Sequence, residues 1–225
     1  KGKKKKYFNF FLTIGLIFTL MLAFMPSKWW LALLIVFVIT SIGYTGTNIF
    51  YDAFLVDVSE DKDMDRISSL GYALGYIGST IPFIICMAVV VLATLEIVPI
   101  SVEMAYKISF VITVIWWGIF SIPIIRDVHQ RYGIDPEPHY IRKSFARIGN
   151  TLKEVKQHKA IFIFLLAYFC YIDGVDTIIK MATSYGSTIG INSIMLLVIL
   201  LVTQFVAFPF AIIYGKAAQK FGTKR

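Results

Sequence analysis

Along this chain, long apolar runs alternate with short polar interruptions. Six runs, at roughly 8–25, 29–51, 67–94, 104–125, 159–182 and 191–214, each approach or exceed the ~20 residues a helix needs to cross ~30 Å of hydrocarbon. A membrane core offers no water to backbone amides, so runs of this length predict helices that satisfy their own hydrogen bonds. The pattern predicts an all-α, polytopic membrane protein with six transmembrane helices. The run ending at Asp52 resumes at Ile67 after a turn holding Asp57, Glu60, Asp61, Lys62, Asp63, Asp65 and Arg66, which makes a transmembrane hairpin. One hydrophilic segment, 126–158, is longer. From Ile141 its apolar residues Ile141, Phe145, Ile148, Leu152 and Val155 recur at helical spacing among Arg142, Lys143, Arg147, Lys153 and Lys156. That is a basic amphipathic helix, expected on the membrane surface or on the helix ends.

Polar and small residues inside the spans mark particular faces. The first span carries only Asn9, Thr13 and Thr19 as polar side chains and reads as a lipid-facing peripheral helix. Trp29 and Trp30 fit an interfacial aromatic belt. In the second span Tyr44, Asn48 and Tyr51 share a helical stripe beside Thr45 and Asp52, which serves either internal packing or the lining of a solute cavity. Gly71, Gly75 and Gly78 share one face of the third span, a small-residue stripe suited to close helix packing. Pro82, one turn on, should kink that span. The fifth span holds Asp173, Gly174, Asp176 and Lys180, and the sixth Gln204 and Pro209. A carboxylate at membrane depth needs protein, water or a partner, so Asp173 and Asp176 are candidates for a substrate or proton pathway, with Gln204 beside them. Asp176 and Lys180 stand in the favourable order for an ion pair one turn apart.

Composition narrows the function classes. Hydrophobic residues make up 57% of the chain and charged residues 16%, at a mean hydropathy of +0.72, which excludes an ordinary soluble domain. Of 22 lysines and arginines, all but Lys28, Lys107 and Lys180 fall at the two ends, in the turn before Ile67, or in 126–159. The positive-inside bias then puts both ends in the cytoplasm, and the net charge of +8 reflects that asymmetry rather than nucleic-acid binding. His129, His139 and His158 lack metal-site spacing, and Cys86 and Cys170 are mid-span packing residues. With no nucleotide-binding glycine loop and no catalytic serine, histidine and acid set, neither an enzyme nor a cofactor is expected.

The stretch 48–82 is the most specific. YDAFLVDV, a charged turn ending in Arg66, then GYALGYIGS resembles the vacuole-effluxer-like family of the major facilitator superfamily, which includes the yeast vacuolar amino-acid exporters and many bacterial relatives. GKAAQKFGTKR at 215–225 resembles the superfamily's cytoplasmic loop signature, with Gly215, Lys220, Gly222 and Lys224 in place and Gln219 where an acidic residue is usual. In the same register Gly2, Lys3, Lys4 and Lys5 align with Gly222, Thr223, Lys224 and Arg225.

The resemblance implies the third to eighth helices of a twelve-helix fold, with two more helices expected before this chain and four after it. Residues 1–125 would supply four helices of the N-terminal half, 126–158 the cytoplasmic linker, and 159–225 two helices of the C-terminal half. It implies a secondary transporter in the cell membrane moving a small solute, amino-acid export being the family's activity, by alternating access. A channel-like or scaffolding membrane protein is the alternative. The family's fourth helix lines the cavity, which points to Tyr44, Asn48 and Tyr51. Asp57, Arg66 and Lys220 stand where charge pairs hold the cytoplasmic side shut. The antiporters' Gly-Pro signature is absent, because Tyr76 follows Gly75. The expected partners are the lipid bilayer, a small-molecule substrate, protons and the remaining transmembrane helices, with no nucleic acid and no metal.

Overall fold

Long apolar segments of helix-forming residues give helices nearly end to end. The computed structural model describes residues 3–133 and 140–221. In chain order these form α1 Lys4–Phe24, α2 Trp30–Ala53, the single turn α3 Leu55–Val58, a 3-10 turn Asp61–Asp63, α4 Met64–Thr94, α5 Val102–Asp127, α6 Tyr140–Gln157, α7 Lys159–Thr188 and α8 Ser193–Phe221. No strand occurs among the described residues. Six helical segments are long and apolar enough to cross a membrane: Lys4–Phe24, Trp30–Val58, Asp61–Thr94, Val102–Asp127, Lys159–Thr188 and Ser193–Lys220. All six expected spans are present. α7 and α8 run on to Thr188 and Phe221, past the expected 182 and 214, because the backbone ladder continues where the side chains turn polar.

The chain divides into two compact units. One comprises α1 to α5 with α8 from Leu197 onward; the other comprises α6, α7 and the turn into α8. In the first, α1 packs along α2 and α5, and α4 packs along α5. The α1–α2 approach is set by glycine: a Cβ on Gly43 would stand 2.5 Å from the Gly15 nitrogen and 2.7 Å from its Cα. Gly15 in turn lies under the ring of Trp117, and Gly46 under the ring of Phe11. With lipid on the other side as apolar as leucine, such backbone proximity and the dispersion contacts it allows are what hold two membrane helices together.

This corrects the reading of the first span as peripheral. Phe10, Ile17, Leu20, Met21 and Phe24 do face outward, yet Phe8, Leu12, Gly15, Thr19, Leu22 and Ala23 are buried. Polarity is a poor guide to the inner face of a membrane helix; small residues and ring-shaped partners define it. Phe8, Leu12 and Phe54 form the core at one end, packed by Leu16, Phe50 and Trp117, and Val90, Ala93 and Ala105 form another.

Both long helices with sharp exits close in the same manner. After α4, Glu96 adopts a left-handed φ of 56°, its amide donating to Ala93 O and that of Ile97 to Leu92 O. After α7, Gly190 does so at φ 87°, with Gly190 N–H to Ser187 O and Ile191 N–H to Gly186 O. This double bond pattern caps the last carbonyls of each helix. Pro82 lies inside the unbroken α4, where it removes the donor that the Gly78 carbonyl would otherwise receive.

Substituting Gly43 by alanine should cost about 1–3 kcal/mol, because the methyl meets backbone that cannot yield. Gly75 has nothing within 4 Å of the place its Cβ would take, so it should tolerate alanine and gain up to about 1 kcal/mol of helix propensity. Thermal unfolding of the two variants in detergent micelles separates these outcomes.

Candidate functional site

The clearest built site lies where α2 gives way to α3. α2 stops at Ala53, Phe54 turns the chain, and Phe54 is pinned edge-to-face on Phe8 of α1 with ring centroids 6.1 Å apart. That turn aims Asp57 at the start of α1. Its Oδ2 accepts from Lys4 Nζ at 2.9 Å, and its Oδ1 accepts from the backbone N–H groups of Arg131 at 2.9 Å and Tyr132 at 3.0 Å. Lys4 Nζ also donates to Ala53 O at 2.9 Å. Two further bonds stitch α1 to the segment after α5: the Lys4 amide donates to Gln130 Oε1 at 3.1 Å and Lys5 Nζ to Val128 O at 3.0 Å. Asp57 is 1% exposed, so its charge rests on these donors rather than on water.

The other expected charges sit elsewhere. Arg66 is exposed on the first turn of α4 and Lys220 on the last turn of α8. Those two ends meet, since a Cβ on Gly215 would stand 2.7 Å from Ser69 Cβ. Gly2, Gly222, Thr223, Lys224 and Arg225 lie outside the described residues, as do Pro136, Pro138 and His139.

A second feature is a cleft of about 750 Å³ between α4 and α5, with Tyr51 of α2 at its edge. Its floor is Gly71, Gly75 and Gly78, and its far wall includes Tyr106, Thr113 and Trp116. The glycine stripe expected to seat another helix therefore borders open space in this chain, the nearest atom to a Gly71 Cβ being the Tyr51 hydroxyl at 3.9 Å. Hydroxyls facing this region donate to their own helices, Ser79 to Tyr76 O at 3.1 Å, Ser109 to Ala105 O at 2.9 Å and Thr113 to Ser109 O at 2.8 Å. No charged side chain lines the cleft among the described residues. Its chemistry suits an uncharged or aromatic group. The α5 wall went unnoticed in the sequence, although Tyr106, Phe110, Thr113 and Phe120 recur at intervals that place them on one helical face.

Of the second-span stripe, only Tyr51 reaches the cleft. Tyr44 instead packs edge-to-face on Trp117 at 6.0 Å, and Asn48 is half-buried. In the other compact unit Lys180 and Asp176 pair at 3.2 Å, with side chains 73% and 54% exposed. Asp173 is exposed on α7 without a hydrogen bond or ion pair among the described residues, and Gln204 is half-buried on α8.

Six apolar helices, with a buried ionic node where α1, α3 and the exit of α5 meet, define a multi-pass membrane protein. The chain belongs to the family described as vacuole effluxer Atg22 like, whose model matches residues 1–225. It is 57% identical over 224 residues to YxiO of Bacillus subtilis (strain 168), designated an uncharacterized MFS-type transporter, covering 100% of this chain and 52% of that protein. It is 28% identical over 142 residues to autophagy-related protein 22 of Yarrowia lipolytica, covering 54% of this chain and 23% of the relative. Autophagy-related protein 22-1 of Aspergillus fumigatus matches at 29% over 147 residues, 59% of this chain and 23% of the relative. The chain thus spans about half the length of its bacterial relative, and no solved structure is a significant match.

Asp57 is buried while Lys4 is 23% exposed, so removing the carboxylate leaves its donors without their acceptor but Lys4 within reach of water, at about 1–3 kcal/mol. Asp57→Ala should therefore lower the unfolding temperature markedly. Lys62→Ala should not, because Lys62 and Glu60 pair at 2.8 Å with side chains 75% and 72% exposed, an arrangement worth about 0–1 kcal/mol. Thermal unfolding monitored by size-exclusion fluorescence checks both.

Proposed function

We propose that this chain supplies the third to eighth helices of a secondary active transporter that moves a small solute by alternating access. The observation that carries the reading is the Asp57 node, which staples α1, α3 and the segment after α5 together at one end of their unit. Alternating access moves each half as a body, and charge-assisted bonds between helix ends would hold α1, α3 and the exit of α5 together within one half through that motion. Arg66 and Lys220, apart from that node at the ends of α4 and α8, are the further gate charges in this reading. Residues 1–125 belong to one half, 126–158 link the halves, and 159–225 open the second half. Amino acids are the substrate class by analogy with the family, and the direction is export.

For coupling, Asp173 is the residue we select. Counting 1.5 Å per residue from Lys159 puts it about 21 Å into α7, where an ionised carboxylate needs a partner or a proton. In the full-length protein Asp173→Asn should abolish proton-gradient-driven accumulation in proteoliposomes, retain solute exchange, and leave membrane abundance normal. Loss of expression with accumulation intact in the surviving protein would sink the coupling role. Absence of gradient-driven flux for every amino acid tested with the unsubstituted protein would remove the amino-acid assignment, and absence of flux for every class of small solute tested would remove the transporter reading itself.

Both ends of this chain face the cytoplasm in this arrangement. Cysteines placed at Ser27 and Ser187 should react with an impermeant thiol reagent from outside, and ones at Asp63 and Ser144 should not. The reverse labelling pattern would invert the topology.

A further inference from the structure

α6 and α7 form one continuous stretch of the second compact unit. α6 ends at Gln157, and only His158 separates it from the membrane-crossing α7 that begins at Lys159. The junction is bonded on both sides: His158 N–H donates to Val155 O at 3.1 Å, and His158 O accepts from Phe162 N–H at 3.0 Å. A link of one residue reaches only about 3.5 Å. Connectivity therefore holds the C-terminal end of α6 at the level where a span leaves the bilayer, whatever else the helix touches.

Its side chains divide by chemistry around the helix. Phe145, Ile148 and Leu152 share one stripe and are 71%, 56% and 58% exposed. Half-buried Val155 extends the stripe toward α7. At 3.6 residues per turn, Arg142, Lys153 and Lys156 fall along one edge of the stripe, while Lys143 and Arg147 lie on the polar face opposite it. Glu154 is the helix's one acidic residue. A large apolar stripe with cations along one edge and on the opposite polar face matches a surface that is apolar below and negatively charged above. A groove on a protein would need acidic residues along the rim facing that edge to match the same pattern.

We propose that α6 lies along the membrane surface where α7 enters, with its apolar stripe in the boundary between headgroups and acyl chains. Its basic edge binds the headgroups of anionic lipids. The linker is then a membrane-docked strut that fixes the entry of α7 and answers to the anionic lipid content of that leaflet. Each Lys or Arg near such a surface is worth about fivefold in binding.

The test uses the full-length protein with all its native cysteines, Cys86 and Cys170 among them, replaced by serine and a single cysteine at Leu152 or, on the opposite face, at Asn150, labelled with a polarity-sensitive fluorophore. In nanodiscs of phosphatidylcholine with phosphatidylglycerol, the probe at 152 should be blue-shifted and quenched by spin-labelled lipid, and the probe at 150 should not. Arg142→Gln, Lys153→Gln and Lys156→Gln should each weaken that docking about fivefold. Equal access of an aqueous quencher to both probes would overturn the proposal. Shielding of the 152 probe without lipid quenching would place a protein surface on the stripe, and equal docking in phosphatidylcholine alone would remove the anionic-lipid assignment.

Discussion

A carboxylate taken out of water must be bonded on every side or neutralised, and the Asp57 end of this protein is arranged around that demand. Three donors converge on its two oxygens, and they come from two parts of the chain far apart in sequence, the start of α1 and the segment after α5. Each donor brings its own element with it. Lys4 fixes the start of α1 against the end of α2 through Ala53 O, and the amides of Arg131 and Tyr132 fix the exit of α5. A single charge thereby sets the relative position of three helix ends, with the Phe8–Phe54 contact as the apolar floor beneath it.

Away from that end, shape takes over from charge. The glycines of α1 and α2 let two backbones approach, and the rings of Trp117 and Phe11 fill the space that side chains would have used. Hydroxyls between these helices are satisfied by their own helix, as in Thr19 to Gly15 O at 2.6 Å and Thr47 to Gly43 O at 2.7 Å. These two threonines are buried beside the glycines and need no partner on a neighbouring helix to satisfy their donors. The α4 glycines present the contrary case: the same residue type, no ring or backbone against it, and a cleft instead.

Length and hydropathy made all six spans legible in the sequence, along with the amphipathic α6 and the pairing of Asp176 with Lys180. Those features depend on local periodicity, which a linear pattern contains. The packing of α1 was not legible, since its inner face is marked by Gly15 and by what Gly43 and Trp117 bring from elsewhere in the chain. The same holds for the amides that complete the Asp57 node. A backbone N–H has no letter in the sequence, so Arg131 and Tyr132 gave no sign that their main chain, not their side chains, would matter. Tyr44 and Tyr51 share a stripe yet part company in space, one on Trp117 and the other at the cleft, because helix periodicity gives a direction but not the neighbour found there.

The order in which the Asp57 bonds become available has a consequence for biogenesis. Lys4 precedes Asp57 by 53 residues, whereas Arg131 and Tyr132 follow it by 74 and 75. During synthesis the ion pair is complete as soon as α1, α2 and α3 have emerged, while one carboxylate oxygen still lacks its amides until α5 has been made. α1 and α2 can thus insert and find each other on the strength of the ion pair, and their final register is sealed only when the polypeptide leaves α5.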